Sequence, residues 1–333
     1  MFKVTLAFIF LTNLSLSQSN LIYNGDFEMY SACPNGFSDP GQSFKEIEKC
    51  IGWKSPTFGT SDYYNECSLS PISSIPVNGL GNQLAYSGKG YLGAYLTNYN
   101  WGAGNDGYNG IMWWEYIQGS LNSPLQSGNL YKLKLKVSLC EYSDLLINEF
   151  GAYFSEDPIS SNNTGNLQVL PQCVFTNTNY FNDTIDWIEC ESYFISNGGE
   201  KYITLGNFKN NLSTDTLRRF NSEPVAVNPY ATYFYFDDIE LTDVTQNQET
   251  PNVFTPNNDG INDFWVPLFS LQNYEVFIMN RWGSKITILT ESNPTWGGKD
   301  SNGNSVSNGE YFYLIIDKVV NKPIHQGIIY VLN

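Results

Sequence analysis

Nine residues in mid-chain, YKLKLKVSL (131–139), alternate apolar and polar side chains without a break. Tyr131, Leu133, Leu135, Val137 and Leu139 fall on one side, and Lys132, Lys134, Lys136 and Ser138 on the other. A period of two does not suit a helix. It makes a strand with one dry face and one wet face, as antiparallel sheets have. The rest of the chain agrees. Strand-like runs at 21–27, 91–96, 113–121, 150–154, 187–195, 201–208 and 233–241 are separated by clusters of Gly, Asn, Pro and Ser. Only 42–50 offers a turn or two of helix. Eight or so strands with long loops predict an all-β fold, a β-sandwich of the jelly-roll kind.

Composition narrows the function. Aromatic residues make up 16% of the chain and charged residues 15%, with a formal net charge of −16. A surface this acidic repels nucleic acid and anionic lipid, so neither is an expected partner. The first 17 residues, MFKVTLAFIFLTNLSLS, read as a signal peptide: a basic start, a short apolar run and small residues before the cut. No later stretch is apolar enough to span a membrane. Six cysteines (33, 50, 67, 140, 173 and 190) in an exported chain argue for disulfides. With no CxxC and only one histidine, His325, a zinc site of the usual kind is not expected.

All six cysteines precede residue 191, which suggests two domains. The polar run TDVTQNQET (242–250) reads as the joint. The boundaries are then 18–243 for the first domain, 244–250 for the linker and 251–333 for the second. Strands at 273–279, 284–289, 311–318 and 327–332 predict a small Ig-like sandwich for the latter.

In the first domain, NGDFE (24–28) opens the fold and YFYFDDIEL (233–241) closes it. Strict alternation puts Tyr233, Tyr235, Asp237, Ile239 and Leu241 on one face. An acid among inward apolar residues needs a partner or a cation. Calcium takes oxygen ligands from separated segments. These two segments resemble the bracketing strands of galactose-binding-like jelly rolls, which include many carbohydrate-binding modules. The resemblance covers about residues 20–243. It implies a structural calcium ion on Glu28 and Asp237, with Asp238 as a weaker ligand. The alternative is a hydrogen-bonded pair of acids at the sandwich edge.

SACP, CIGW and SPTFGTSDYYNEC (between residues 31 and 67), with WEYIQGSLNSPL (114–125) and GGEKYITLGNF (198–208), resemble an uncharacterised module of secreted Bacteroidota proteins. That resemblance implies a Cys33–Cys67 disulfide; pairing of the other four cysteines stays open. Sugar binding needs aromatic faces beside amides and acids. The candidates are Tyr63, Tyr99, Trp101, Tyr108 and Trp114, with the loop TNYNWGAGNDGYNG (97–110) the richest segment. Tyr64 and Trp113 complete the set, and core packing is the alternative role for all of them. The lysine stripe reads as a solvated sheet face rather than a polyanion site. No GxSxG, P-loop or GxGxxG occurs, so catalysis is not the expected activity. A carboxylate pair for glycoside hydrolysis stays open among Glu115, Glu141, Asp144 and Glu149, because such pairs are set by space.

PNVFTPNNDGINDFW (251–265) has the look of a calcium loop. With Gly260 at position 6 of an EF-hand, however, Thr255 and Val266 fall where acids are required. The segment reads better as a turn through Asn257, Asn258, Asp259, Gly260, Asn262 and Asp263, with Val253, Phe254, Ile261, Phe264 and Trp265 packing around it. Taken with NRWG (Asn280, Arg281, Trp282, Gly283), NGEYFY (308–313) and HQGIIYVL (325–332), it resembles the gliding-motility-associated C-terminal domain. Asn258 stands where the pattern has Gly. That family is the type B sorting domain of type IX secretion. It implies the type IX machinery as partner and passage through the periplasm to the cell surface or beyond. The expected protein is a secreted or surface-displayed, carbohydrate-binding one that meets a polysaccharide or other glycan. The alternatives are an adhesive surface protein that binds other proteins, or a polysaccharide-degrading enzyme.

Overall fold

The computed structural model describes residues 19–39, 45–98, 113–210, 212–219, 231–245, 252–269, 271–318 and 321–332. The fold is nearly all β, with one short 3-10 helix at Glu46–Lys49. The first domain is a sandwich of two five-stranded sheets. Sheet I runs β1 (Trp53–Lys54), β6 (Tyr116–Ser120), β12 (Tyr202–Gly206), β9 (Glu149–Ser155) and β10 (Cys173–Thr176) in spatial order. Sheet II runs β11 (Ile188–Ile195), β7 (Leu130–Leu139), β14 (Ala231–Asp243), β5 (Gly90–Asn98) and β2 (Asp62–Asn65). Every pairing within both is antiparallel. Two small ribbons complete the domain: β3 (Val77–Asn78) with β4 (Gly81–Asn82), and β8 (Leu145–Ile147) with β13 (Thr216–Arg218).

The alternation at 131–139 behaves as the sequence dictates. Tyr131, Leu133, Leu135, Val137 and Leu139 enter the core between the sheets. Lys132, Lys134 and Lys136 face out, and strand β11 places acids opposite them. Lys132 pairs with Glu191 at 2.6 Å, while Lys136 and Lys134 share Glu189 at 2.7 and 3.5 Å. All three lysines of the stripe are therefore paired by two acids of the neighbour strand.

Two expectations are corrected. NGDFE is not a strand: only Ile22 makes an isolated bridge there, to Leu121. Asn24 and Phe27 take positive φ, and the Asn24 amide ties the turn to the Met29 and Ile51 carbonyls. Gly25 is required because a Cβ would lie 2.1 Å from the Ile239 carbonyl oxygen. Strand β14 also breaks its own alternation. Asp238 adopts φ +50° at a bulge between Asp237 and Glu240. Phe234, Phe236, Ile239 and Leu241 therefore face the sandwich core. Tyr233 and Tyr235 face the other way, into a cluster with Tyr64, Tyr91, Leu80 and Cys140. A bulge shifts the pleat by one residue, which strict alternation cannot foresee.

Cys33 and Cys67 form a disulfide. Cys50, Cys140, Cys173 and Cys190 are free and buried, so the even cysteine count overstates the pairing. Cys50, Cys173 and Cys190 sit in the sandwich core and Cys140 in the tyrosine cluster. Burial pushes the thiols of Cys140, Cys173 and Cys190 up to about 12, which keeps them protonated and inert.

The C-terminal domain is one five-stranded sheet: β15 (Val253–Phe254), β19 (Lys322–Val331), β18 (Gly309–Asp317), β16 (Tyr274–Asn280) and β17 (Lys285–Leu289). Irregular segments, joined by a Trp265–Trp296 bridge, form its second layer. Phe254 and Trp265 pack inward, whereas Val253, Ile261 and Phe264 are exposed, contrary to the sequence reading. The expected linker is partly structural as well. Strand β14 reaches Asp243, and buried Val244 joins Leu130 and Ile195 in one apolar cluster with Leu271, Tyr274 and Ile315 of the C-terminal domain. No helix among the described residues is long and apolar enough to cross a membrane.

Candidate functional site

The sugar-contact residues expected from the sequence do not come together. Tyr99, Trp101 and Tyr108 lie outside the described residues. Tyr63 is fully buried and its hydroxyl donates to the Phe27 carbonyl at 3.0 Å. Trp114 is also buried, packed with Tyr116 and Leu167. Neither ring offers a face to a ligand. Trp113 is buried too.

Trp113 instead completes a buried carboxylate site. The Trp113 indole N–H, the Thr60 backbone N–H and the Thr60 hydroxyl donate to Glu115 Oε1 at 2.9, 2.8 and 2.6 Å. The Tyr95 N–H donates to Oε2 at 2.9 Å. Asp62 lies close enough to feel this charge; burial first, and Glu115 second, raise its carboxyl well above the usual range. Ser38 N–H and the Tyr233 hydroxyl donate to Asp62 at 2.7 and 2.9 Å. These acids are anchored within the fold, and the dense donor set gives Glu115 a structural part.

Glu28 and Asp237 converge on one segment, residues 86–90. The Lys89 and Gly90 N–H groups donate to Glu28 Oε1 at 2.6 and 2.9 Å. The Tyr86 and Ser87 N–H groups donate to Asp237 Oδ2 at 2.7 and 3.1 Å, and the Asp238 N–H to Oδ1 at 2.7 Å. Burial still pushes the Asp237 carboxyl up to about 8. Two carboxylates from segments distant in sequence, closing on one stretch of chain, are oxygen donors of the kind calcium takes. Each already has N–H partners, and no cluster of three or more acids, His or Cys occurs among the described residues.

The outer face of Sheet I carries mixed chemistry and is partly covered: Lys54 and Tyr153 are half-buried, while Gln118 and Thr204 are buried. Register sets Lys54, Gln118, Thr204 and Tyr153 in one row across β1, β6, β12 and β9. The next row holds Ser120, Tyr202 and Ser155. Gln118 donates from Nε2 to Thr204 Oγ1 at 2.9 Å, while its buried Oε1 has no hydrogen-bond partner. At one end of the face, Glu48, Trp53, Lys54, Gln118, Ser120 and Tyr202 line a groove of about 450 Å³. At the other end is a cleft of about 950 Å³. Tyr153, Phe208, Gln168 and Glu156 contribute to it from the first domain, and Tyr274 and Asp317 from the second. The Tyr153 and Phe208 rings lie 6.4 Å apart. Sequence reasoning missed this face. Each strand shows its polar alternates, but which residues share a row depends on register, which the pattern does not carry.

The two motif turns of the C-terminal domain close on themselves. Asp263 accepts from the Asn258 and Gly260 N–H groups at 2.6 and 2.8 Å. Asp259 accepts from Ile261 N–H at 2.8 Å, and Asn257 Oδ1 accepts from Asp259 N–H at 3.0 Å. Asn258, Gly260 and Asn262 all have positive φ, as a tight turn requires. In NRWG, Asn280 Oδ1 accepts from Trp282 and Ser284 N–H at 3.0 Å each. Trp282 stays 75% exposed with Arg281 stacked on it at 4.5 Å.

A β-sandwich carrying a cleft, joined to a small C-terminal sheet with self-closed motif turns, defines a two-part all-β protein whose second part is a distinct module. Residues 248–331 match the family described as the CHU_C Type IX secretion signal domain, which implies export to the cell surface or outside. No curated protein matches the chain. Among solved structures, the chain is similar to the CBM22-1 xylan-binding domain of Paenibacillus barcinonensis Xyn10C, at 11% identity and TM-score 0.31, covering 65% of this chain and 99% of that one. It is similar to the K1 cleaved adhesin domain of Lys-gingipain from Porphyromonas gingivalis W83, at 15% identity and TM-score 0.28, covering 58% and 91%. PorZ, a surface component of the type-IX secretion system of Porphyromonas gingivalis, matches at 18% identity and TM-score 0.20, covering 32% of this chain. The chain spans 14% of the length of PorZ. Overlaps this loose specify neither topology nor ligand.

Proposed function

We propose that the protein is an exported carbohydrate-binding protein that holds a glycan along the outer face of Sheet I. The observation that carries this reading is that both ends of this face are open, at the groove beside Lys54 and Tyr202 and at the cleft beside Tyr153 and Phe208. Between them these openings present an ammonium, hydroxyls and rings, the groups that recognise sugar hydroxyls and sugar faces. Tyr153→Ala should weaken binding to a panel of neutral oligosaccharides at least tenfold, about the worth of one stacked ring, with an unchanged melting temperature. Unchanged glycan binding in that variant would sink the site. No glycan binding by the native chain, with tight capture of a protein partner, would favour adhesion instead.

A structural calcium ion on Glu28, Asp237 and Asp238 is a second part of the reading, supported by the two carboxylates that close on residues 86–90. Added chelator should then lower the melting temperature of the full chain. An unchanged temperature would leave the backbone N–H groups as the partners these acids need.

A further inference from the structure

We propose that the C-terminal domain stays with the exported protein and forms one wall of its glycan cleft. The inference rests on the Sheet I reading above and adds a second domain to that site.

Three observations support it. The cleft is bipartite: Tyr153, Phe208 and Glu156 line it together with Asn273, Tyr274 and Asp317. The contact beside it is packed like a core. Tyr274 and Leu271 are 2% and 4% exposed, in one cluster with Leu130, Ile195 and Val244 of the first domain. The rim is closed by hydrogen bonds between domains. Asn273 Nδ2 donates to the Pro171 carbonyl at 2.9 Å, Tyr274 hydroxyl to the Ile195 carbonyl at 3.3 Å, and Asn197 Nδ2 to Asp317 Oδ2 at 3.3 Å.

The first domain is shaped for this contact. Buried Glu200 accepts from the Ser196 hydroxyl and from the Asn197 and Gly198 N–H groups at 2.6–3.0 Å. That holds the 196–200 turn, with Gly198 and Gly199 at φ +94°, so that Asn197 reaches Asp317. A module meant only to be read and discarded has no need of a shared core. Removing it would open one wall of the cleft and bare Leu130, Ile195 and Val244 to water.

The wall also selects. Glu156, Asp157 and Asp317 line the cleft, on a chain of net charge −16. Acidic polysaccharides are repelled there. The class that fits is a neutral, hydroxyl-rich glycan.

The test uses the full chain. Mass spectrometry of the exported form should find residues 252–332 attached to the rest. Asn273→Ala and Asp317→Ala should each weaken binding of neutral oligosaccharides about tenfold, the worth of one hydrogen bond, and polygalacturonate should not bind the native chain. Should either variant undock the domain, a protease site placed within 246–250 gives a second measure: after cutting, the two parts should co-elute and keep binding. An exported form lacking 252–332 would overturn the inference. So would unchanged affinity in both variants while Tyr153→Ala loses it, which leaves the Sheet I reading standing. Unchanged affinity in all three variants would remove both.

Discussion

Glu115→Ala is expected to cost at least about 3 kcal/mol of stability, since each buried donor that loses its acceptor costs roughly 1–3 kcal/mol. Glu115 is fully buried, and its two oxygens collect four donors from Thr60, Trp113 and Tyr95. Cutting the side chain takes away the acceptor that two backbone N–H groups, a hydroxyl and an indole N–H now use, in a buried place. Relief of Asp62, whose carboxyl Glu115 helps to raise, offsets part of the loss. Glu115→Gln keeps the volume and one acceptor oxygen, so it should fall between the two. Urea titration of the purified full chain measures all three proteins. A loss below about 1 kcal/mol, the net worth of one ordinary hydrogen bond, would mean that the donors find other acceptors and that the site is not an anchor.

The second large effect concerns export. A carrier protein that normally stays in the periplasm should reach the cell surface or medium when residues 248–332 are fused to its C-terminus. Deleting the same residues from the native chain is a weaker test, because it exposes Leu130, Ile195 and Val244, and a misfolded passenger can also fail to travel. The fusion separates address from folding. Continued retention of the folded carrier in the periplasm would count against a self-sufficient signal. In the fusion, Trp282→Ala should reduce delivery without changing the melting temperature. The ring is 75% exposed, and its turn is held by Asn280 rather than by packing.

The sequence was most legible where one residue's neighbours decide its place. Period-two patterning located β5, β7, β9, β11, β12 and β14, and β16, β17 and β18 of the C-terminal domain, to within a few residues; it found only the second half of β19 and missed β15. The Cys33–Cys67 disulfide followed from a family resemblance, and the structure bears it out. Legibility ended where the outcome depends on distant segments. Glu189 and Glu191 answer the lysine stripe only because β11 pairs with β7 in one register. Asp238 carries no mark of the bulge that sends Ile239 inward and leaves Tyr235 outside. Val244 looked like a lone apolar residue in a linker, yet it bridges two cores. The Sheet I face was hidden for the same reason: Gln118, Thr204 and Tyr153 come from three strands separated by long loops.

The cluster that joins Leu130, Ile195 and Val244 to Leu271 and Tyr274 bears on how the molecule melts. Two modules tied by a solvated tether unfold independently, each at its own temperature. Here each supplies apolar surface that the other needs, so opening one strips contacts from its neighbour. The two folding equilibria are thermodynamically coupled, and each domain is more stable in company than alone. The C-terminal domain is therefore most stable once the first domain beside it has itself finished folding.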